Sequence, residues 1–176
     1  GAEVALKAEM ARQWPEFRFA FSRPGFVTFK LPERHGLGED ANLYSVFARA
    51  SSLSLGRATG ESAEERARDV WRLAEGLPID AVHVWQRDLA EAGYRGYEPG
   101  PTTSAEEARD EILRQRPAEF AEPAAGAGKQ ADVGQLVLDC ILVEPDSWWV
   151  GFHRASTAAS QWPGGLRNIE LPVHAV

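Results

Sequence analysis

The chain has 176 residues, 44% of them hydrophobic, and a formal charge of -7 at pH 7. That is enough to bury a core and fold as one or two small domains. Bulk acidity argues against a simple nucleic-acid-binding protein, because phosphate binding is driven mainly by Lys and Arg displacing counterions.

The charge is uneven along the chain. Residues 1–60 hold 8 basic and 6 acidic residues, 61–150 hold 9 and 19, and 151–176 hold 2 and 1. The acidity therefore sits in the middle and leaves two basic flanks. The single cysteine, Cys140, rules out an intrachain disulfide framework or a cysteine-based zinc site and fits a reducing, cytoplasmic setting. There is no apolar run long enough to span a membrane and no secretory signal pattern. The chain opens on Gly1-Ala2-Glu3-Val4 and reads as a piece excised from something longer.

Val4, Ala8 and Ala11 fall at helical spacing within residues 3–13, and Pro15 lies just beyond to stop the helix. Phe17, Phe19 and Phe21 then alternate with Arg18 and Ala20. Pro24-Gly25 supplies the fixed φ and the positive φ of a type II turn before Phe26–Lys30, which predicts a hairpin. Helix and hairpin form part of a ferredoxin-like βαββαβ domain whose first strand would precede Gly1. Residues 31–43 form a polar connection in place of the usual second helix, and Tyr44–Leu55 reads as the strand that closes this domain.

A linker at Gly56–Gly60 leads to Ser62-Ala63-Glu64-Glu65, a capping box ahead of a helix with Val70, Trp71, Ala74 and Leu77 on its buried face. Gly76 and Pro78 end it, and Ile79–Trp85 reads as a strand. The Ser-Ala-Glu-Glu pattern returns at Ser104–Glu107, opening a helix that carries Ile112 and Leu113 and stops at Pro117. Residues 118–134, rich in Ala, Gly and Pro, read as a loop. Leu136–Val143 is the apolar run of a strand covered on both sides, and Pro145-Asp146 turns it into Trp148–His153. The expected fold class is α+β: a partial ferredoxin-like domain at 1–58, an αβαββ domain with a mixed sheet at 59–155, and a linker at 156–176.

No catalytic pattern emerges. Cys140 lies within an apolar strand, where a thiol packs as a small hydrophobe, so pairing it with His153 as nucleophile and base is disfavoured. His35, His83, His153 and His174 lack the short spacings of a metal site. Trp162-Pro163-Gly164-Gly165 is similar to an S-adenosylmethionine loop but lacks the strand before it and the helix after it, and reads as a turn. What remains is a set of cations on the flanks, Arg18, Arg23, Lys30, Arg49 and Arg57 early and Arg154 and Arg167 late. Such residues pair with phosphate and stack on unpaired bases, although scattered arginines more often mark a solvated face.

The helix start at Gly1–Glu9, Val46-Phe47-Ala48-Arg49, and Leu142–His153 with the irregular run to Pro172-Val173 together resemble one family. It is that of the bacterial large-subunit ribosomal RNA ribose 2'-O-methyltransferases, which carry a ferredoxin-like domain and a THUMP domain ahead of an S-adenosylmethionine-dependent catalytic domain. The resemblance implies that residues 59–155 are the THUMP-like domain and that the two domains hold ribosomal RNA through the seven cations named above. It places S-adenosylmethionine and all catalytic residues in a domain beyond Val176. The missing first strand and the short crossover at Leu31–Leu43 depart from the family pattern. The other reading is a protein-interaction or small-ligand regulatory α+β domain that does not bind RNA, which suits the acidity.

Overall fold

A computed structural model describes residues 2–41, 43–88, 102–118, 120 and 130–166. It contains helices α1 (Glu3–Gln13), α2 (Ala63–Leu73) and α3 (Thr103–Arg114) and strands β1 (Arg18–Arg23), β2 (Phe26–Lys30), β3 (Leu53–Thr59), β4 (Ala81–Gln86), β5 (Leu136–Glu144) and β6 (Ser147–Arg154). β1 and β2 pair antiparallel, and a separate four-stranded sheet runs in the order β3-β6-β5-β4. In it β4 and β5 are parallel and the other pairs antiparallel, so the class is α+β with a mixed sheet.

Side chains alternate across a strand, so each of β4, β5 and β6 splits between two faces. Val82 and Val84, Leu136, Leu138, Cys140 and Leu142, and Trp148 and Val150 point to one face and pack with Val70, Trp71 and Ala74 of the α2 region and Ala105, Ala108 and Ile112 of α3. The Trp71 indole reaches across this core and donates to the Ile112 carbonyl at 2.7 Å. A bound partner there matters because a buried polar group left unpaired costs about 1–3 kcal/mol.

The helix starts follow local chemistry. Ser62 accepts from the Glu65 amide, while the Glu65 carboxylate reaches back to the Glu61 amide at 2.9 Å, one residue earlier than the simplest capping box. At α3 the cap is Thr102, which accepts from the Ala105 amide; Ser104, read as the cap, lies inside the first turn. Thr102 also bonds Gln86 at 2.9 Å, which ties the helix start to the end of β4.

The helix expected over residues 3–13 is present as α1, Glu3–Gln13. Val4, Ala8 and Ala11 are exposed on α1, whose buried residues are Glu9 and Met10. The helix is held by carboxylates instead: Glu3 accepts from the Gly25 amide at 2.6 Å, and Glu9 accepts from the Ser45 hydroxyl and from the Val46 amide at 2.8 Å. The Ser45 hydroxyl and the neighbouring amides hold the Glu9 carboxyl below its ordinary range.

The expectation that fails in this part of the chain concerns β3. The strand begins at Leu53, not at Tyr44, and the expected linker Gly56–Gly60 supplies most of it. It pairs with β6 from Leu53 opposite Phe152 to Thr59 opposite Ser147, so the boundary placed at residue 58 cuts through a sheet strand. Gly56 takes φ 139 beside the irregularity in this pairing, a conformation that only glycine adopts easily, and its turn-like signature hides a bulge.

Candidate nucleic-acid interface

The sheet face away from α2 and α3 carries rows fixed by strand register: Trp85, Ile141, Trp149 and Arg57 in one, His83, Asp139 and Gly151 in the next, then Ala81, Val137 and His153. The hairpin docks on Trp149. Phe21 stacks on that indole at 5.4 Å between centroids and Phe26 lies at 5.3 Å, while Arg57 sits over the ring at 5.7 Å from the centroid. Gly25 is required at the hairpin turn, with φ 73 and a hypothetical Cβ 2.7 Å from the Asp88 amide nitrogen.

The seven predicted cations meet different fates. Arg18 and Lys30 are register partners at the open end of the hairpin, both exposed, and neither is ion-paired among the described residues. Next to them Phe19 is exposed, with the Lys7 ammonium 4.2 Å from its ring centroid. Arg49 is also exposed without an ion pair among the described residues and lines two cavities. Arg57 is exposed above Trp149.

Arg23 and Arg154 differ, because each already has an acidic partner. Arg23 bonds Glu144 at 3.0 Å and covers Phe21, fastening the hairpin to β5. Arg154 is paired with Glu39 and with Asp40 at 3.2 Å, and the Glu39 hydrogen bond raises its pKa further. Arg167 lies outside the described residues. Of the six cations of this set that lie among the described residues, Arg18, Lys30, Arg49 and Arg57 are therefore uncommitted to carboxylates there, while Arg23 and Arg154 are paired.

A polar cluster that the spacing of the histidines concealed is buried on the same sheet face. His153 faces the Asp139 carboxylate through Nδ1 at 2.6 Å and the Ser160 carbonyl through Nε2 at 2.8 Å. Both neighbours are acceptors, so both ring nitrogens must donate and the imidazole is a cation. Burial pulls its pKa down, but the Asp139 charge and these hydrogen bonds outweigh that and carry it up to about 9. His83, 3.9 Å from Asp139 and likewise buried, is pushed the other way, to about 4, chiefly by burial and also by the charge of His153. The cluster anchors the segment after β6 to the sheet. Among the described residues no group of histidines, cysteines and carboxylates suits a metal ion.

Cys140 pairs in register with Val150 on the helix side of the sheet, the face opposite His153, and burial raises its thiol pKa. The sheet thus separates the two side chains, which cannot act together as nucleophile and base in this arrangement. Pro163–Gly165 forms a single turn against Trp85, with Gly164 at φ 60 and its hypothetical Cβ 3.1 Å from the indole, so this glycine permits close packing.

Between the hairpin side and the sheet lies a groove of about 990 Å³, bounded by Phe26, Phe29, Phe47, Trp85, Trp149 and Phe152. Glu3, Glu39, Asp88 and Asp139 also line it. Thr28 Oγ1, Trp85 Nε1 and Asp88 Oδ1 at its walls are buried without a hydrogen-bond partner among the described residues. No helix among the described residues is long and apolar enough to cross a membrane. Comparisons with family models, curated proteins and solved structures return no match for this chain.

Proposed function

We propose that the chain is an RNA-binding, substrate-targeting module of an S-adenosylmethionine-dependent ribosomal RNA ribose 2'-O-methyltransferase. The family resemblance supplies the parent activity, and with it a cytoplasmic setting and a large-subunit ribosomal RNA partner. One observation carries the RNA-binding part: from Arg18 to Lys30 the chain has three bases and no acid, interleaved with four phenylalanines. Its Arg18–Lys30 pair, with Lys7 over the exposed Phe19, offers phosphate-binding charge beside a ring on which a base can stack.

Part of the net charge of -7 lies away from this arrangement. α3 carries Glu106, Glu107, Asp110 and Glu111 against Arg109 and Arg114, and it covers the sheet face opposite the hairpin. At physiological salt the Debye length is about 8 Å, so charge on the far side of the sheet is largely screened from a strand lying on the hairpin. Phosphate contacts from this surface would position the RNA, and exposed loops of folded RNA would supply the unstacked bases.

Replacing Arg18 and Lys30 together by Glu should weaken binding to a large-subunit ribosomal RNA transcript at least about 10-fold more than replacing Arg68 and Arg72 of α2. Equal losses would overturn the assignment of the surface. A second reading, a regulatory domain for a small ligand, is favoured by the aromatic groove, where Trp85 Nε1 and Asp88 Oδ1 have no hydrogen bond among the described residues. Saturable uptake of a small aromatic ligand, with no RNA binding at low salt, would select it.

A further inference from the structure

We propose that a second, smaller cavity, between the loop at 43–51 and the turn at 153–160, is a phosphate site in which Arg49 is the cation and Ser51 and Ser156 are hydroxyl donors. It rests on the RNA reading, under which the ligand is a backbone phosphodiester. The cavity measures about 190 Å³. Its lining contains Arg49, His153 and Arg154 together with six hydroxyl-bearing side chains, and no Asp or Glu. The larger groove beside it is lined by four carboxylates, so an anion is directed to the smaller space.

The charge in this cavity is specific to one residue. Arg154 is committed to Glu39 and Asp40, and both N–H groups of His153 are taken by Asp139 and Ser160. Arg49 alone keeps an uncompensated charge at the cavity among its described lining residues, which matches the single negative charge of a phosphodiester. The guanidinium fork fits two phosphate oxygens at once.

The turn that forms the opposite wall is organised in advance. The Ser160 hydroxyl oxygen accepts from the amides of Ser156 at 2.9 Å and Thr157 at 2.8 Å, and the Ser160 carbonyl is held by His153. This leaves the Ser156 side chain exposed at the rim without a hydrogen bond of its own among the described residues. Ser51 stands across the cavity, two residues before β3. An oxyanion between them would gain donors already in place, with little ordering cost.

The test uses the whole chain in RNA-binding titrations across a salt series, for wild type, Arg49→Ala, Arg49→Lys, Ser51→Ala/Ser156→Ala and Arg72→Ala. Arg49→Ala is expected to weaken binding about 10-fold and to reduce the slope of log affinity against log salt by about 0.7–0.9, the loss of one phosphate contact. Arg49→Lys should keep the slope and lose affinity, because charge survives and the fork does not. The double serine variant should weaken binding with the slope unchanged. A slope for Arg49→Ala equal to that of Arg72→Ala, with RNA still bound, overturns the phosphate site and leaves the RNA reading standing. A parallel arm titrates inorganic phosphate while the Arg49 side-chain resonance is followed by NMR. A saturable shift that the serine variant abolishes supports the site even if RNA does not bind, and in that case the RNA source is overturned. No shift and no RNA binding overturns both.

Discussion

Asp139→Asn removes the charge that keeps His153 cationic in the interior, and its cost can be worked from the structure. With the carboxylate in place the imidazole titrates near 9 instead of the ordinary 6.5, a difference equivalent to about 3 kcal/mol. Because the folded pKa is raised, this contribution is fully present below pH 6.5, declines above it, and is lost as pH rises through about 9. An independent route agrees, since removing one partner of a buried ion pair typically costs about 3–5 kcal/mol. The variant should therefore lose about 3 kcal/mol at pH 7, or about 6–12 °C in melting temperature for a chain of this size. Urea unfolding of both proteins from pH 6 to pH 10 is the assay. The wild-type advantage should shrink across that range until the two curves approach each other near pH 10. A variant within about 1 kcal/mol of wild type at pH 7, or two parallel curves, would refute the claim that the ion pair anchors this face.

Other perturbations probe separate parts of the account. His83 is buried neutral with a pKa near 4, so wild-type stability should fall as pH drops from 6.5 towards 4, and His83→Leu should flatten that limb in acid unfolding curves. The same substitution removes two ring nitrogens that make no hydrogen bond among the described residues and should cost less than about 1 kcal/mol at pH 7; a larger loss in urea titration would mean that the ring is hydrogen-bonded in solution. Gly25→Ala meets both the positive φ and the Asp88 backbone, and thermal melts should show a loss of more than about 1 kcal/mol. Trp71→Phe keeps a ring in the core but leaves the Ile112 carbonyl without its indole donor, and should destabilise by about 1–3 kcal/mol in chemical denaturation.

The second half of the fold was legible because its signals are local. The Ser62 cap, the apolar run at Leu136–Val143 and the Pro145-Asp146 turn each dictate an element without reference to the rest of the chain. β3 was misread because a bulged glycine strand resembles a linker until its partner, β6, is known. α1 was legible as a helix, but the side that holds it was not, because that depends on what its carboxylates accept from Gly25, Ser45 and Val46, which lie on segments far along the chain.

The candidate surface was legible to a smaller degree. Sequence identifies cations but not their neutralisation, so Arg23 and Arg154 could not be told from Arg18 and Arg49 before Glu144, Glu39 and Asp40 were placed beside them. The buried cluster was invisible for a related reason. His83, Asp139 and His153 lie on three strands and meet only through sheet register; the one local hint was a charged residue, Asp139, within the apolar β5.

The central claim is that a locally basic surface on an acidic chain holds RNA, and a salt series with a large-subunit ribosomal RNA transcript tests it most directly. Four uncommitted cations, Arg18, Lys30, Arg49 and Arg57, predict saturable binding whose log affinity falls linearly with log salt at a slope of about -3 to -4. Absence of saturable binding at low salt, or a slope indistinguishable from zero, would contradict it.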